Sequence, residues 1–346
     1  MLDNKNIRLP AEWEEQSALL LVWPHIAHAW WGEDEFNALN DAYIKFAYKV
    51  SKYELIKIIA YNSSHITDIK AELIALGANL DRVEFTICLT NDVFVRDTGP
   101  ITVLSNKKPL LYDFEFNAWG GKYECTHDNA LNQNLVKQNF LSDEIIKQDF
   151  ILEGGSIDSN GEGILLTTES CLLSETRNNL SKEDIELKLK ELFNLKQVLW
   201  LKHGRLIGDD TDGHIDTIAR FINKDTICYH SCNNKDDLHY NDLKEMEKEL
   251  HEFKTDAGES FNLVPIPIPS QIYDGAAKRL PASYLNFIII NNAIILPIYN
   301  CDEDKIAYKT LQQHFPDRVI VPIDATALVL QYGSLHCASI SLFKGE

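Results

Sequence analysis

The stretch Asn286-Phe-Ile-Ile-Ile-Asn-Asn-Ala-Ile-Ile-Leu-Pro-Ile298 decides the fold. Two short apolar runs, Asn286 to Ile290 and Ala293 to Ile298, flank the pair Asn291-Asn292. Asparagine tolerates the backbone of tight turns, so the runs read as two strands joined by one. Beyond them, Asp302 to His314 sets Ile306, Ala307 and Leu311 at helical spacing, behind an acidic first turn that suits the helix dipole. Arg318 to Ile323 is a further strand. The unit is strand, strand, helix, strand.

Working outward, the same order recurs. From Gly163 to Leu201 there is a strand at Ile164 to Thr168, a helix that starts at Ser181-Lys-Glu-Asp184 and runs to about Phe193, and a strand at Val198 to Leu201; the second strand of this copy is unclear. From His214 to Ile268 the strands fall near Ile215 to Phe221, Thr226 to Tyr229 and Leu263 to Ile266, with a helix from about Leu238 to Phe253. From Pro100 to Phe150 they fall at Ile101 to Leu104 and Leu110 to Phe114, with a helix around Asn129 to Phe140. The stretch Ala18 to Cys88 is longer: strand Leu19 to Trp23, helix Phe36 to Val50, strand Leu55 to Tyr61, helix His65 to Leu76, strand Val83 to Ile87. No Ser/Pro/Gly-rich linker divides residues 1–346, so a single α/β domain is expected. A repeated unit whose apolar face needs neighbours suggests a closed ring. The plainer reading is a generic α/β domain with mixed strands.

The chain has 346 residues, 45% hydrophobic and 25% charged, which excludes a disordered chain or a small disulfide scaffold. Its formal net charge of −19 repels nucleic acid and anionic membranes and attracts cations. Seven scattered cysteines, an odd number, give no disulfide framework and point to a reducing cytoplasm. Met1 to Pro10 lacks the pattern of a signal peptide. The apolar stretch Asn286 to Tyr299 is too short to span a bilayer.

Rare residue types cluster where the units open: Asn91 to Pro100, Leu152-Glu-Gly-Gly155, Asp209 to Asp216, and Gly333 to Cys337. If the units ring an axis, these four clusters converge on a thiol, an imidazole and several carboxylates. Each has a plainer reading. Asp97 beside Arg96 suits a surface ion pair or a turn; Glu153 suits a solvated loop; Cys337 suits a buried structural thiol. The run Asp209 to Asp216 also suits a solvated or calcium-like loop, but lacks the glutamate of an EF-hand. His214 and Asp216, two apart, share a face if they lie on a strand. Cys228 and Cys232 have no second ligand pair for zinc. Trp30-Trp31 suits either core or a pocket mouth.

These residues carry a resemblance. The chain resembles the agmatine deiminase and bacterial peptidylarginine deiminase-like family, within the guanidino-group-modifying superfamily. The likeness runs through Leu9 to Trp13, Trp23-Pro24, Asn91 to Pro100, Phe116 to Tyr123, Leu152 to Ile157 and Leu166 to Cys171. It continues through Asp209 to Asp216, Leu280 to Phe287 and Gly333 to Cys337. The resemblance implies a five-bladed pseudo-symmetric α/β propeller. It implies Cys337 as nucleophile, His214 as general acid/base, Asp97 and Asp216 as the carboxylates that hold a guanidinium, and Glu153 as the glutamate beside the histidine. Phe94, Trp119, Asp210 and Gly333 are implied to line the rest of the substrate site.

The chemistry implied is hydrolysis of agmatine to N-carbamoylputrescine and ammonia, through a covalent amidino-cysteine, with no metal or cofactor. A homodimer or higher homo-oligomer is implied, with a small cationic guanidino compound as substrate and no nucleic acid or membrane partner. The chain departs from the family pattern at Phe94 (often Trp), Asp210 (often Glu) and Tyr332 (often Gly), which bears on substrate length. Peptidyl-arginine, free arginine or another guanidino-amine is the alternative substrate. A metal-dependent hydrolase and a polyamine-binding propeller without catalysis are the rivals from other classes.

Overall fold

A computed structural model of the chain describes residues 7–26, 32–141 and 143–345. Trp30 and Trp31 lie outside the described residues. The fold is α/β and holds five separate sheets. The deciding stretch forms as read. Ile288–Ile290 pairs antiparallel with Ala293–Ile298 across a two-residue turn, where Asn292 takes a φ of 63°. The helix Glu303–His314 then carries the chain back, so that Val319–Asp324 runs parallel to Ala293–Ile298. Ile288, Ile289 and Ile290 are all buried, as is the run Ala293 to Leu296. Burial on both faces explains a continuous apolar run in place of alternation, and each such side chain contributes roughly 1.5–3 kcal/mol.

Two other sheets repeat this plan. One orders Ile157–Ser159, Ile164–Thr168 and Gln197–Leu201; another orders Ala219–Asn223, Thr226–Ser231 and Asn262–Pro267. In both, the first pair is antiparallel and the second parallel. The helices Lys182–Phe193 and Tyr240–Glu252 make the crossovers. Ser181 caps the first of these by accepting from the Asp184 N–H at 3.1 Å, and Asn194 ends it in a left-handed conformation. The remaining two sheets have four strands. Ile7–Arg8 lengthens the sheet of Ile101–Ser105, Lys108–Glu115 and Glu144–Ile151. The last sheet joins Ser339–Phe343 to Gln16–Val22, Ile56–Ala60 and Val83–Ile87, so strands from both ends of the described chain pair in one sheet.

Three expectations change. The strand expected from Ile215 to Phe221 begins only at Ala219; Ile215–Thr217 is a short 3-10 turn. Thr217 Oγ1 donates to the His214 carbonyl at 2.9 Å and holds that turn, so strand alternation does not describe His214 and Asp216. The unclear strand of the Gly163 unit precedes that unit, at Ile157–Ser159, beyond a turn in which Gly161 and Gly163 have φ of 74° and 91°. The helix expected from Asn129 to Phe140 spans only Leu131–Lys137, after a separate turn Thr126–Asn129, and the chain leaves it through Asn139 at φ 55°.

The sheets meet in sequence. Ser339–Phe343 touches Ile101–Ser105, and Ile7–Arg8 touches the helix Lys182–Phe193. Ile157–Ser159 touches Ala219–Asn223, and the helix Glu303–His314 touches Asn262–Pro267. The helix Glu33–Val50 touches Val319–Asp324, which returns the circuit to its start. No helix among the described residues is long and apolar enough to cross a membrane.

Candidate active site

Each of the five sheets sends one segment to a common point, and in each case it is the segment that opens the first antiparallel strand. Asp97 sits on the turn Val95–Thr98 before Ile101. Glu153 and Gly155 precede Ile157. His214 and Asp216 precede Ala219, Asn286 precedes Ile288, and Cys337 precedes Ser339. A strand end fixes the backbone on one side while a turn leaves the side chain free to point along the sheet edge. Five such ends bring together three carboxylates, an imidazole, an amide and a thiol.

Asp216 lies at the centre of the contacts. Its Oδ2 is 3.9 Å from the Cys337 sulfur and accepts from His336 Nδ1 at 2.7 Å and from Asn286 Nδ2 at 3.3 Å. Its Oδ1 is buried with no hydrogen-bond partner among the described residues. Asp97 is held on both oxygens: the Gly155 N–H donates to Oδ1 at 2.9 Å and Trp119 Nε1 donates to Oδ2 at 2.9 Å. His214 Nδ1 lies 3.7 Å from Asp97 Oδ1, and neither ring nitrogen has a hydrogen-bond partner among the described residues. Gly155 makes this convergence sterically possible. A Cβ there would lie 2.6 Å from His214 Nδ1, 2.9 Å from Asp97 Oδ1 and 3.1 Å from Asp216 Oδ2.

The protonation pattern follows from these contacts. Burial, then the carboxylates of Asp216 and Asp97, hold the Cys337 thiol well above its usual range. Burial pulls the His214 imidazole down, but the Asp97 carboxylate, then Cys171 and Glu153, outweigh it and hold the ring well above the ordinary histidine range. Burial also raises Asp97. On Asp216 burial is outweighed by the hydrogen bond and charge of His336, with His214 and Arg220 behind it, so its carboxyl is depressed. The site therefore pairs a neutral thiol with an imidazolium and an ionised Asp216.

Cys337 opens on a cavity of about 430 Å³ whose wall includes Asp97, Phe94, Trp119, Asp210 and Gly333. His214, Asp216 and Glu153 do not line it and are fully buried. Asp210 accepts from the Tyr123 hydroxyl at 3.0 Å, and burial raises its carboxyl. Phe94 packs so closely over Gly333 that a Cβ at Gly333 would lie 2.4 Å from its ring. Trp119 both lines the cavity and anchors Asp97, from a backbone at φ 53°. Tyr332 holds a left-handed φ of 65°, where a glycine would be at ease.

Glu153 is not solvated. Arg177 Nε lies 2.9 and 3.1 Å from its two oxygens, and both side chains are fully buried. The Arg177 fork also reaches Asp212 at 2.8 Å and the Thr211 carbonyl at 2.8 Å, so it ties the glutamate loop to the histidine loop. Donor atoms of Glu153, Cys171 and His214 lie within 4.8 Å of one another. This is the group among the described residues that could meet at a metal ion, although the Arg177 guanidinium already engages both Glu153 oxygens.

Sequence reasoning missed Asn286, whose Oδ1 accepts the His336 and Cys337 N–H groups at 2.9 and 3.1 Å. The signal was present, because Asn286 opens the best-read unit as the other site residues open theirs. Cys171 and His336 were passed over for want of a local pattern; only the fold brings them to the site.

The chain matches the family model described as Porphyromonas-type peptidyl-arginine deiminase over residues 8–342. The structure of a C. jejuni agmatine deiminase with substrate bound is 42% identical, with a TM-score of 0.90, covering 98% of this chain and 97% of that one. The agmatine deiminase of Enterococcus faecalis is 27% identical, with a TM-score of 0.88, over 98% and 96% of the two chains. A dimethylarginine dimethylaminohydrolase, 13% identical with a TM-score of 0.51 over 94% of this chain and 100% of that one, shares the fold alone.

Proposed function

Because the chain belongs to the Porphyromonas-type peptidyl-arginine deiminase family, we propose that it hydrolyses agmatine to N-carbamoylputrescine and ammonia. The observation that carries this choice of substrate is the sign of the cavity. Every charged residue on its wall among the described residues is acidic: Glu35, Asp92, Asp97, Asp210 and Asp274. Such a wall suits a dication. Free arginine would bring an α-carboxylate, and no cation lines the cavity among the described residues. Of the arginines near the site, Arg220 is spent on Asp158 and Glu12. Arg96 is buried against the His336 carbonyl and does not line the cavity.

The guanidinium seats between Asp97 and Asp216, which hold it by charge-assisted hydrogen bonds. As it seats, its charge offsets the carboxylates and the Cys337 thiol gives up its proton to solvent. The thiolate attacks the guanidinium carbon, a proximity effect. His214, already protonated, gives a proton to the departing nitrogen. The C–N bond breaks, ammonia leaves, and an amidino-thioether remains on Cys337. His214 then takes a proton from water, which attacks the same carbon; the C–S bond breaks and the urea product leaves.

The same reading takes the five sheets as blades of a pseudo-symmetric α/β propeller. It is supported by the closed circuit of contacts between sheets and by the recurrence of site residues at one position in each.

Ammonia release from agmatine, arginine, a peptidyl-arginine and a guanidine lacking the terminal amine tests the proposal. Agmatine should be favoured, and Asp210→Asn should weaken its use far more than that of the amine-free guanidine. Preference for arginine or peptidyl-arginine would overturn the assignment; equal losses would remove Asp210 from the amine site.

A further inference from the structure

The residue before the nucleophile carries an interaction that the reaction outlined above does not use. His336 is 2% exposed. Its Nδ1 lies 2.7 Å from Asp216 Oδ2 and its Nε2 lies 2.8 Å from Glu12 Oε2. A carboxylate only accepts, so a ring between two carboxylates must donate from both nitrogens. Glu12 is ionised: burial raises it, but the charges of Arg220 and His336 outweigh that and hold it well below the usual carboxylate range. Beyond Glu12 the chain of charges continues to Arg220, whose Nε donates to Asp158 at 3.1 Å. Glu12 Oε1 also accepts the Ile289 N–H at 2.8 Å. One buried row, Asp216, His336, Glu12, Arg220 and Asp158, thus ties elements of three sheets to the loop before Gln16.

We propose that His336 is a positioning residue for the guanidinium clamp: by donating to both Asp216 and Glu12 it anchors one Asp216 oxygen and leaves the other for substrate. The proposal rests on the deiminase reading. It accounts for the asymmetry of Asp216, whose Oδ2 meets His336, Asn286 and the Cys337 thiol while Oδ1 has no partner among the described residues.

The consequence is a pH signature. The charged and titratable groups around Asp216 and His336 come from every packed element. The turn Val95–Thr98 brings Arg96 and Asp97, and Ile157–Ser159 brings Asp158. The turn before Ala219 brings His214, the strand Ala219–Asn223 brings Arg220, and Glu12 and Cys337 complete the set. Asp216 is depressed chiefly by His336 working against burial. Without that ring the carboxyl rises, so protonation removes the clamp at a higher pH and the acid limb of kcat/KM moves upward.

The test is the pH profile of agmatine turnover in wild type and His336→Asn, which keeps a short neutral donor toward Asp216. A rise of one unit makes the deficit at pH values below both acid midpoints roughly tenfold larger than on the neutral plateau. A loss equal at both, or no loss, with folding checked by circular dichroism, overturns the proposal. Should His336→Asn not fold, His336→Gln is the second variant. On wild type, nitrogen NMR of labelled histidine should show both His336 ring nitrogens bearing hydrogen near neutral pH; a ring with one bare nitrogen overturns the proposal without any variant. Wild type that releases no ammonia from agmatine would instead sink the substrate assignment, while the NMR arm still reads His336.

Discussion

Asp97 and Asp216 play similar parts toward a guanidinium but are held differently, and their substitutions should differ. Both oxygens of Asp97 accept protein N–H groups. In Asp97→Asn the new amide must face one of those donors, so the variant loses stability as well as turnover. Asp216→Asn can keep its oxygen on His336 and Asn286 and turn its amide to the substrate side. It should fold normally yet lose roughly 2–5 kcal/mol of transition-state binding, about thirtyfold or more in kcat/KM. Thermal melting with steady-state kinetics checks both; near-normal turnover in a folded Asp216→Asn would take that residue out of the clamp. Cys337 gives a second prediction. Its folded-state thiol is raised by burial and by Asp216 and Asp97, so at neutral pH the free enzyme holds it protonated. A bound cation should lower the pH at which thiolate absorbance appears. An unliganded thiol already ionised at neutral pH would contradict this.

The turn between Leu152 and Ile157 shows how much a short element decides. Gly155 is the floor on which Asp97, His214 and Asp216 approach one another. Gly155→Ala should displace them by a fraction of an ångström to an ångström, and a misplacement of that size costs on the order of 10²-fold in rate. Stability should fall by about 1–3 kcal/mol, as in other overpacked sites. Full activity in a folded Gly155→Ala would show that the three groups need not meet. The sequence made the sheet-forming parts legible because Ile288 to Ile298 has no other way to bury its isoleucines, and because Ser181 caps its helix as such residues do. It failed at His214 to Asp216, where a 3-10 turn carries apolar neighbours at strand-like spacing. It failed again at Ile157–Ser159, too short for alternation to show. Asn286 was visible only through the repeat, and His336 only through Glu12, 324 residues away in sequence.

For the molecule as a whole, a net charge of −19 surrounds a cavity whose charged wall is acidic. A dication is drawn toward such a field, and salt screens it over about 8 Å at physiological ionic strength. Raising sodium chloride should lower kcat/KM for agmatine several-fold while kcat changes little; a flat kcat/KM would show that the field plays no part in capture. Activity should also persist after treatment with a strong chelator, and its loss would favour a metal at Glu153, Cys171 and His214. The sheet that joins Ser339–Phe343 to Gln16–Val22 has a consequence in time. A ribosome adds residues in order, at about 5–20 per second. The acids and the histidine of the site emerge well before the thiol, and the strand that follows Cys337 is the one that must find its partner near the beginning of the described chain. A nascent chain halted before Gly333 therefore carries a partial cation site but no nucleophile and no closing strand. It cannot form a covalent adduct with its substrate, so chemistry begins only when synthesis has passed the strand that completes the sheet.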